Sequence, residues 1–153
     1  MAVSAYFTRK SLVHARHTPC STAWVAVARH FTELIVWQLA DRLRAEVFQL
    51  TKRRPFYADL KLRSQIDDAA DSVCRNIAEG FGGTDREFAN FLRIARRSLN
   101  EVQDGFQSAR LKEYVCEADL RAARSLLRRI FPALSSLLRH LDRRNGNDRP
   151  RRR

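Results

Sequence analysis

The sequence is poor in the residues from which small proteins build covalent or metal-bound frameworks. Its three cysteines, Cys20, Cys74 and Cys116, are odd in number and form no C-x-x-C pair. This pattern argues against both a disulfide framework and a cysteine-based zinc site. We therefore expect free thiols, no metal or cofactor, and a reducing cytoplasm as the location.

Long apolar runs are missing as well. The longest, such as residues 34–37, fall far short of the roughly 20 residues that a membrane-spanning helix requires, and charged residues interrupt every window of that length. We predict a soluble protein with no membrane partner. A chain of 153 residues can bury about 68–70% of its unfolded surface in one domain.

Acidic residues are outnumbered, with 17 Asp and Glu against 29 Lys and Arg, so the net charge is +12. Such an excess predicts attraction to polyanions such as RNA, DNA or acidic lipid surfaces, and a role in solubility alone is the alternative. Residues 1–30, which contain no acidic residue, are predicted to form a disordered basic head. The composition of this head resembles a transit peptide, and an untargeted arm or a start codon placed too early is at least as consistent with it. Residues 143–153 are predicted to form a disordered basic tail.

Between these arms, in residues 31–142, the apolar residues repeat at the spacing of four amphipathic α-helices. The first apolar face comprises Val36, Leu39, Ala40, Leu43, Val47 and Leu50. The second comprises Leu62, Ile66, Ala69, Ala70, Val73 and Ile77. The third comprises Leu92, Ala95, Leu99, Val102, Phe106 and Ala109. The fourth comprises Leu120, Ala123, Leu127, Ile130, Leu134, Leu137 and Leu141. We predict an all-α fold, an antiparallel up-down-up-down four-helix bundle.

Proline, glycine and a capping box indicate the helix boundaries. The first helix is expected to end before Pro55 and the second at Gly80. Thr84 followed by Glu87 is a capping box, so the third helix is predicted to begin there. Pro132 lies inside the fourth helix and is expected to kink it rather than break it, because the apolar period continues beyond it.

The residue pattern of a metal-binding bundle is missing. Two-metal sites in four-helix bundles use inward glutamates and Glu-x-x-His pairs. No glutamate stands three residues before any of the four histidines, which are His14, His17, His30 and His140. Asp67 and Asp71 are one helical turn apart and are interpreted as a solvated acidic face, with Asp71 paired to Arg75.

Candidates for covalent catalysis are few. Cys74 lies on the flank of an apolar stripe and Cys116 at a helix start, where a lowered thiol pKa is possible, but neither has a histidine beside it. We predict that the protein is not an enzyme, and a thiol-based redox or transfer enzyme is the minor alternative.

The turn Gly80-Phe81-Gly82-Gly83 precedes a helix N-terminus, where backbone donors can hold a phosphate. It lacks the Lys-Ser/Thr ending of a P-loop, and no strand precedes it. Chain reversal, with Phe81 closing the end of the bundle, is the preferred interpretation.

Arginines form two stripes away from the predicted core. Three on the third helix fall within about 40° of each other opposite its apolar face, and four on the fourth helix share a polar face. The predicted nucleic-acid-binding residues are Arg86, Arg93, Arg97, Arg121, Arg124, Arg128 and Arg139. Arginine binds phosphate in a bidentate manner. The alternative is that both stripes are solvated faces without a ligand.

A second apolar face is predicted on the first helix, where Leu34, Trp37 and Phe48 point away from the core stripe. Exposed aromatic residues of this kind indicate a contact surface, so we predict self-association into a cyclic homo-oligomer. The alternative is a wide stripe covered by a neighbouring helix or by the head.

One set of motifs resembles a known protein family. The motifs are Asn76-Ile77-Ala78-Glu79-Gly80-Phe81-Gly82, Glu87-Phe88, Phe91-Leu92, Ile94-Ala95, Ser98-Leu99, Glu101, Leu34, Val36-Trp37-Gln38, Ala40, Ala109 and Tyr114. Together they resemble the four-helix-bundle proteins encoded in intervening sequences of bacterial 23S ribosomal RNA genes.

The resemblance implies an antiparallel bundle that assembles as a homopentamer and has no known enzymatic activity. Its distant similarity to accessory proteins of diversity-generating retroelements implies RNA and a reverse transcriptase as partners. The leading hypothesis is therefore a non-catalytic homo-oligomer that binds RNA or DNA through its arginine faces. The rival hypothesis is a scaffold that docks a partner protein, with the charge serving solubility.

Overall fold

The computed structural model describes residues 28–147. This part of the chain contains the helices α1 (Ile35–Thr51), α2 (Leu60–Gly80), α3 (Asp85–Leu111) and α4 (Arg121–Asn147), and two short 3-10 helices (Phe31–Glu33 and Phe56–Ala58). It contains no β-strand, so the predicted all-α, four-helix class is confirmed. Predictions for residues 1–27 and 148–153 lie outside the described residues.

The four helices follow each other around the bundle in chain order. Helix α1 packs against α2 and α4, and α3 packs against the same two helices. Every residue that helical spacing assigned to the four apolar faces is buried in a single core. The 3.6-residue period therefore predicted the inner surface of each helix correctly.

Local sequence signals set the helix boundaries. The side chain of Thr84 accepts a hydrogen bond from the Glu87 amide (3.3 Å), and the Glu87 carboxylate accepts one from the Thr84 amide (2.9 Å), so the predicted capping box is present. Asp59 caps α2 by accepting from the Leu62 amide at 3.1 Å. Helix α4 runs without a break through Pro132, as expected, and the kink expected there stays a prediction.

The predicted start of the disordered tail at residue 143 is wrong. Helix α4 continues to Asn147, where Arg144 forms an ion pair with Asp85 of α3 at 2.7 Å. The guanidinium of Arg143 donates to the carbonyl of Arg139 at 3.2 Å. Positive side chains near the C-terminal end of a helix interact favourably with the negative end of the helix dipole, which favours continuation of α4.

Helices α2 and α3 approach each other closely at two glycines. A Cβ at Gly105 would lie 2.6 Å from Ile66 Cδ1, and a Cβ at Gly80 would lie 2.7 Å from Phe91 Cβ. Real Cβ atoms do not reach such distances, so a side chain at either position would force its neighbours to shift. The glycine inside α3 is explained by this contact, although it lowers helix propensity by about 1 kcal/mol.

One polar link lies between these two helices. The hydroxyls of Ser72 and Ser98 are 2.9 Å apart, and the Asn76 amide donates to Ser72 Oγ at 3.0 Å. Ser98 is buried, and no buried side-chain N or O atom within residues 28–147 lacks a partner. The link is therefore fully hydrogen-bonded, as buried polar groups must be to avoid a desolvation cost.

Candidate nucleic-acid interface

The arginine stripe of α3 is exposed, as predicted. Arg86, Arg93 and Arg97 all face solvent. Arg93 donates to Asp142 of α4 at 2.7 Å, which neutralises one of the three charges. Arg86 and Arg97 form no ion pair with any residue that the structure describes.

The arginines of α4 are more weakly neutralised. Helix α4 carries seven arginines and one acidic residue, Asp142. Arg124 is half-buried and paired with Glu117 at 3.0 Å. Arg121, Arg128 and Arg139 are exposed and have no ion-pair partner in the described part of the chain.

Two further arginines belong to this surface although the sequence reasoning did not select them. Arg96 and Arg129 are exposed and form no ion pair among residues 28–147. Each stands next to a selected arginine in the sequence, so the adjacent Arg-Arg pairs were the available signal. They were missed because each is turned away from its stripe by about one residue's rotation.

A groove lies between α3 and α4, lined by Arg124 and Arg128 of the α4 stripe and by no arginine of the α3 stripe. The groove has a volume of about 510 Å³. Its lining residues are Asn100, Gln103, Asp104, Phe106, Gln107, Arg124, Leu127, Arg128 and Phe131. Arg124 and Arg128 thus lie beside amide side chains of α3, whereas Arg86 and Arg139 do not line the groove. We call this the α3–α4 groove.

The α2 side of the molecule carries a different charge balance. Helix α2 has three basic and four acidic side chains. Asp71 pairs with Arg75 (3.6 Å), as predicted, and also with Arg44 of α1 (2.9 Å). Among the helices, the excess of positive charge is therefore greatest on α4, while the connection between α1 and α2 carries exposed Lys52, Arg53 and Arg54.

The predicted solvated acidic face is wrong for Asp67. Its carboxylate is half-buried and accepts a hydrogen bond from the buried Thr51 hydroxyl at 2.8 Å. Burial raises the pKa of Asp67, while the Thr51 hydrogen bond and Arg63 act in the opposite direction. This contact joins α1 to α2, which a single helix's periodicity does not show.

The two described thiols differ in their surroundings. Cys74 is buried, and burial raises its pKa to about 12, so it is protonated at neutral pH and is a poor nucleophile. Cys116 is exposed but lies before α4, which begins at Arg121, so its predicted place at a helix start is wrong. Residues 28–147 contain no group of three or more His, Cys, Asp or Glu side chains placed to hold a metal ion.

The glycine turn before α3 reverses the chain, as preferred above. Gly82 has φ +92, a conformation that favours glycine, and Phe81 packs edge-on against Phe88 with ring centroids 6.2 Å apart. The Glu87 carboxylate already accepts from the Thr84 amide and hydroxyl. A negative group thus occupies the helix N-terminus, which argues against a phosphate there.

The predicted second apolar face on α1 needs correction. Leu34 is only 5% exposed and belongs to the core. It is the extended N-cap residue of α1 (φ −70, ψ 122), so a helical projection places its side chain wrongly. Trp37 and Phe48 are half-buried and pack against the core, and Trp37 also contacts the Phe31 ring. Their predicted role in an oligomer interface stays a prediction.

Large apolar side chains are exposed elsewhere. The most exposed are Leu111 at 81% and Leu60 at 68%. Asp59 and Lys112, their neighbours in the chain, form an ion pair at 2.6 Å, so both leucines lie at the same end of the bundle. Sequence reasoning missed them because both stand at helix ends, where the apolar period carries little information.

Comparison with known proteins supports the resemblance seen in the sequence. Residues 32–136 match the family model of the 23S rRNA-intervening sequence protein. The match covers α1, α2, α3 and most of α4. No curated protein matches the chain. None of the helices in the described region is both long and apolar enough to cross a membrane.

Proposed function

Because the chain belongs to the 23S rRNA-intervening sequence protein family, we propose that it is a non-catalytic homo-oligomer that binds RNA through the arginines of α3 and α4. One observation carries the proposal: α4 has seven arginines and one acidic residue, whereas α2 has three basic and four acidic side chains. A one-sided excess of exposed arginine is the electrostatic feature of a nucleic-acid-binding surface.

The chemistry of these side chains supports phosphate as the ligand. A guanidinium offers several donors in one plane and binds two phosphate oxygens at once. Arg121, Arg128 and Arg139 are exposed and lack an ion pair within the described residues, so no protein contact must break before they bind. Each phosphate neutralised on a single strand adds about 0.7 to the salt dependence of binding.

Contacts along α2 and α3 support the finer architecture, an antiparallel up-down-up-down bundle. Gly80 lies against Phe91, Ser72 binds Ser98, and Ile66 lies against Gly105. Residue numbers fall along α2 as they rise along α3. In the proposed arrangement the other neighbouring helices are antiparallel as well.

Self-association is proposed on the exposed apolar end of the bundle. Leu60 and Leu111 are largely exposed there, with Tyr57 at 47%. Burial in a symmetric interface would remove them from water, and the family resemblance suggests five subunits in a ring. A ring would multiply the arginine surface. The free thiols Cys74 and Cys116 suit the proposed cytoplasmic location.

The decisive experiment measures binding of a fluorescent single-stranded RNA by anisotropy at two salt concentrations. The test variant replaces Arg121, Arg128 and Arg139 by Gln. The control replaces Arg42, Arg54 and Lys61 by Gln. These cations are exposed on the α1 and α2 side, and replacing them removes the same amount of charge as the test variant does. We expect the test variant to lose affinity and the control to keep most of it. Equal losses of RNA affinity in the test and control variants would show that binding depends on net charge alone. No binding by the unmodified protein at low salt would refute the proposal.

The subunit count is tested separately by native mass spectrometry. Leu111→Glu places a charge in the exposed apolar end and is expected to dissociate the oligomer. Gln65→Glu, an exposed change on α2, is the control. A monomer in the unmodified protein would contradict the proposed self-association.

A second candidate function is docking of a partner protein, such as a reverse transcriptase, by the bundle. The exposed Leu60 and Leu111 favour it, because one apolar patch can serve either a second copy or another protein. Under this alternative, the arginine variant above captures the partner as well as the unmodified protein does.

A further inference from the structure

We propose that the α3–α4 groove binds one unstacked base of a single-stranded RNA while the arginines beside it hold the adjoining phosphates. This inference rests on the proposed function and names the feature of RNA that the site recognises. At about 510 Å³ the groove has the size of a small-molecule site, for which about 300–1,000 Å³ is typical.

The α3 wall of the groove carries groups that suit a base edge. Asn100, Gln103 and Gln107 are exposed, and none forms a side-chain hydrogen bond with another residue in the described range. Each amide offers two donor hydrogens and an acceptor oxygen. Bases present donors and acceptors side by side, so amides match them better than they match phosphate, which only accepts.

The fourth helix supplies an aromatic surface. Phe131 lines the groove and is half-buried, so part of its ring is accessible. Buried Phe106 and Leu127 form the apolar floor beside it. Proteins that recognise single-stranded RNA stack unpaired bases on aromatic rings of this kind.

The charged residues of the groove favour a base over a phosphate as its occupant. Asp104 lies in the groove, where it would repel a phosphate but can accept a hydrogen bond from an exocyclic amino group. Arg128 and Arg124 lie on the opposite wall, and Arg128 has no ion pair with the rest of the described chain. The arrangement fits a base inside the groove and its phosphates along α4.

The test compares two single-stranded RNAs of about 12 nucleotides, one complete and one with abasic positions but the same phosphates. The groove variants are Phe131→Leu, which keeps an apolar side chain, and Gln103→Ala with Gln107→Ala. The control is Gln49→Ala with Gln65→Ala, which changes exposed glutamines on α1 and α2. Thermal unfolding of each variant shows that it is folded.

The unmodified protein is expected to bind the complete strand about tenfold more tightly than the abasic strand, as one stacked base would give. The groove variants should lose this preference and keep their affinity for the abasic strand, while the control retains both. Equal affinity of the unmodified protein for the two strands, or an equal loss on both strands in the groove variants, overturns the base site and leaves the proposed function standing. No binding of either strand refutes the proposed function itself.

Discussion

Ile66 of α2 fills the space in which a side chain at position 105 of α3 would lie, so that Gly105 and Ile66 form one packed unit. A Cβ at Gly105 would come within 2.6 Å of Ile66 Cδ1. An alanine at position 105 would have two opposing effects: it would improve the helix propensity of α3, and it would overfill the interface with α2.

Gly105→Ala is expected to destabilise the protein. Overpacking of a buried interface costs about 1–3 kcal/mol, which outweighs a gain in helix propensity of up to about 1 kcal/mol. Denaturant unfolding measures the difference. Gly146→Ala is the matched control, because a Cβ there meets nothing within 4 Å, and it should be neutral or slightly stabilising.

The same contact predicts a reversal of sign. In an Ile66→Ala background the side chain that opposes position 105 is shortened to its Cβ. That atom lies 3.6 Å from a Cβ placed at position 105, which is ordinary van der Waals contact. Adding Gly105→Ala should then stabilise the protein relative to Ile66→Ala alone. If the two changes are simply additive, the contact does not determine the residue at position 105.

The capping box predicts loss of stability in acid. Hydrogen bonds from the Thr84 side chain and backbone lower the pKa of Glu87. A lowered pKa in the folded state gives stability at neutral pH that is lost as pH falls through that pKa. Glu87→Gln should therefore be less stable than the unmodified protein at pH 7, and the gap should close in acid. Urea midpoints across pH test this, and a gap independent of pH would contradict it.

Asp67 predicts the opposite pH dependence. Burial raises its pKa, so its ionisation costs stability as pH rises from the unfolded pKa through the folded one. Asp67→Asn keeps an oxygen for the Thr51 hydroxyl and removes the charge. It should be at least as stable as the unmodified protein at pH 7, with any advantage disappearing in acid. A variant that is less stable at pH 7 would show that the ion pair with Arg63 outweighs burial.

The thiols predict selective alkylation. Because Cys74 is buried and its pKa is raised to about 12, iodoacetamide at mildly alkaline pH should modify exposed Cys116 first. A Cys20→Ser background removes the third thiol. Mass spectrometry of digested protein locates the label. Equal labelling of both cysteines before unfolding would mean that the core opens readily around α2.

The proposed phosphate contacts predict a change in the salt dependence of RNA binding. Log affinity falls as log salt rises, and replacing Arg121, Arg128 and Arg139 by Gln should make this slope shallower by up to about 0.7 for each phosphate that is no longer neutralised. The Arg42, Arg54 and Lys61 control should leave the slope nearly unchanged. A slope unaltered in both variants would place the phosphates elsewhere.

The apolar faces could be predicted from the sequence because burial in a bundle follows one local period. Prediction failed where that period does not apply. Leu34 is an N-cap residue with extended backbone, and Phe56, which is fully buried, lies in a 3-10 helix after Pro55. Neither position has the regular rotation on which a helical projection depends.

Contacts between helices were also beyond prediction. The Arg93–Asp142 ion pair and the Thr51–Asp67 hydrogen bond join residues whose proximity depends on how the helices pack. The α3–α4 groove is of the same kind, since Gln103 and Phe131 line one groove only after α3 and α4 meet. Exposed arginines could be selected from one helix at a time, but the groove could not.

The Ser72–Ser98 hydrogen bond lies among apolar contacts between α2 and α3. A slip of α2 by one helical turn would break this bond, at a cost of about 0.5–1.5 kcal/mol, and leave each hydroxyl with only the partner on its own helix, the Asn76 amide for Ser72 and the Ile94 carbonyl for Ser98. Together with the Ile66–Gly105 contact, the pair therefore favours a single register of α2 against α3, and with it a single alignment of everything that α3 presents on its outer side.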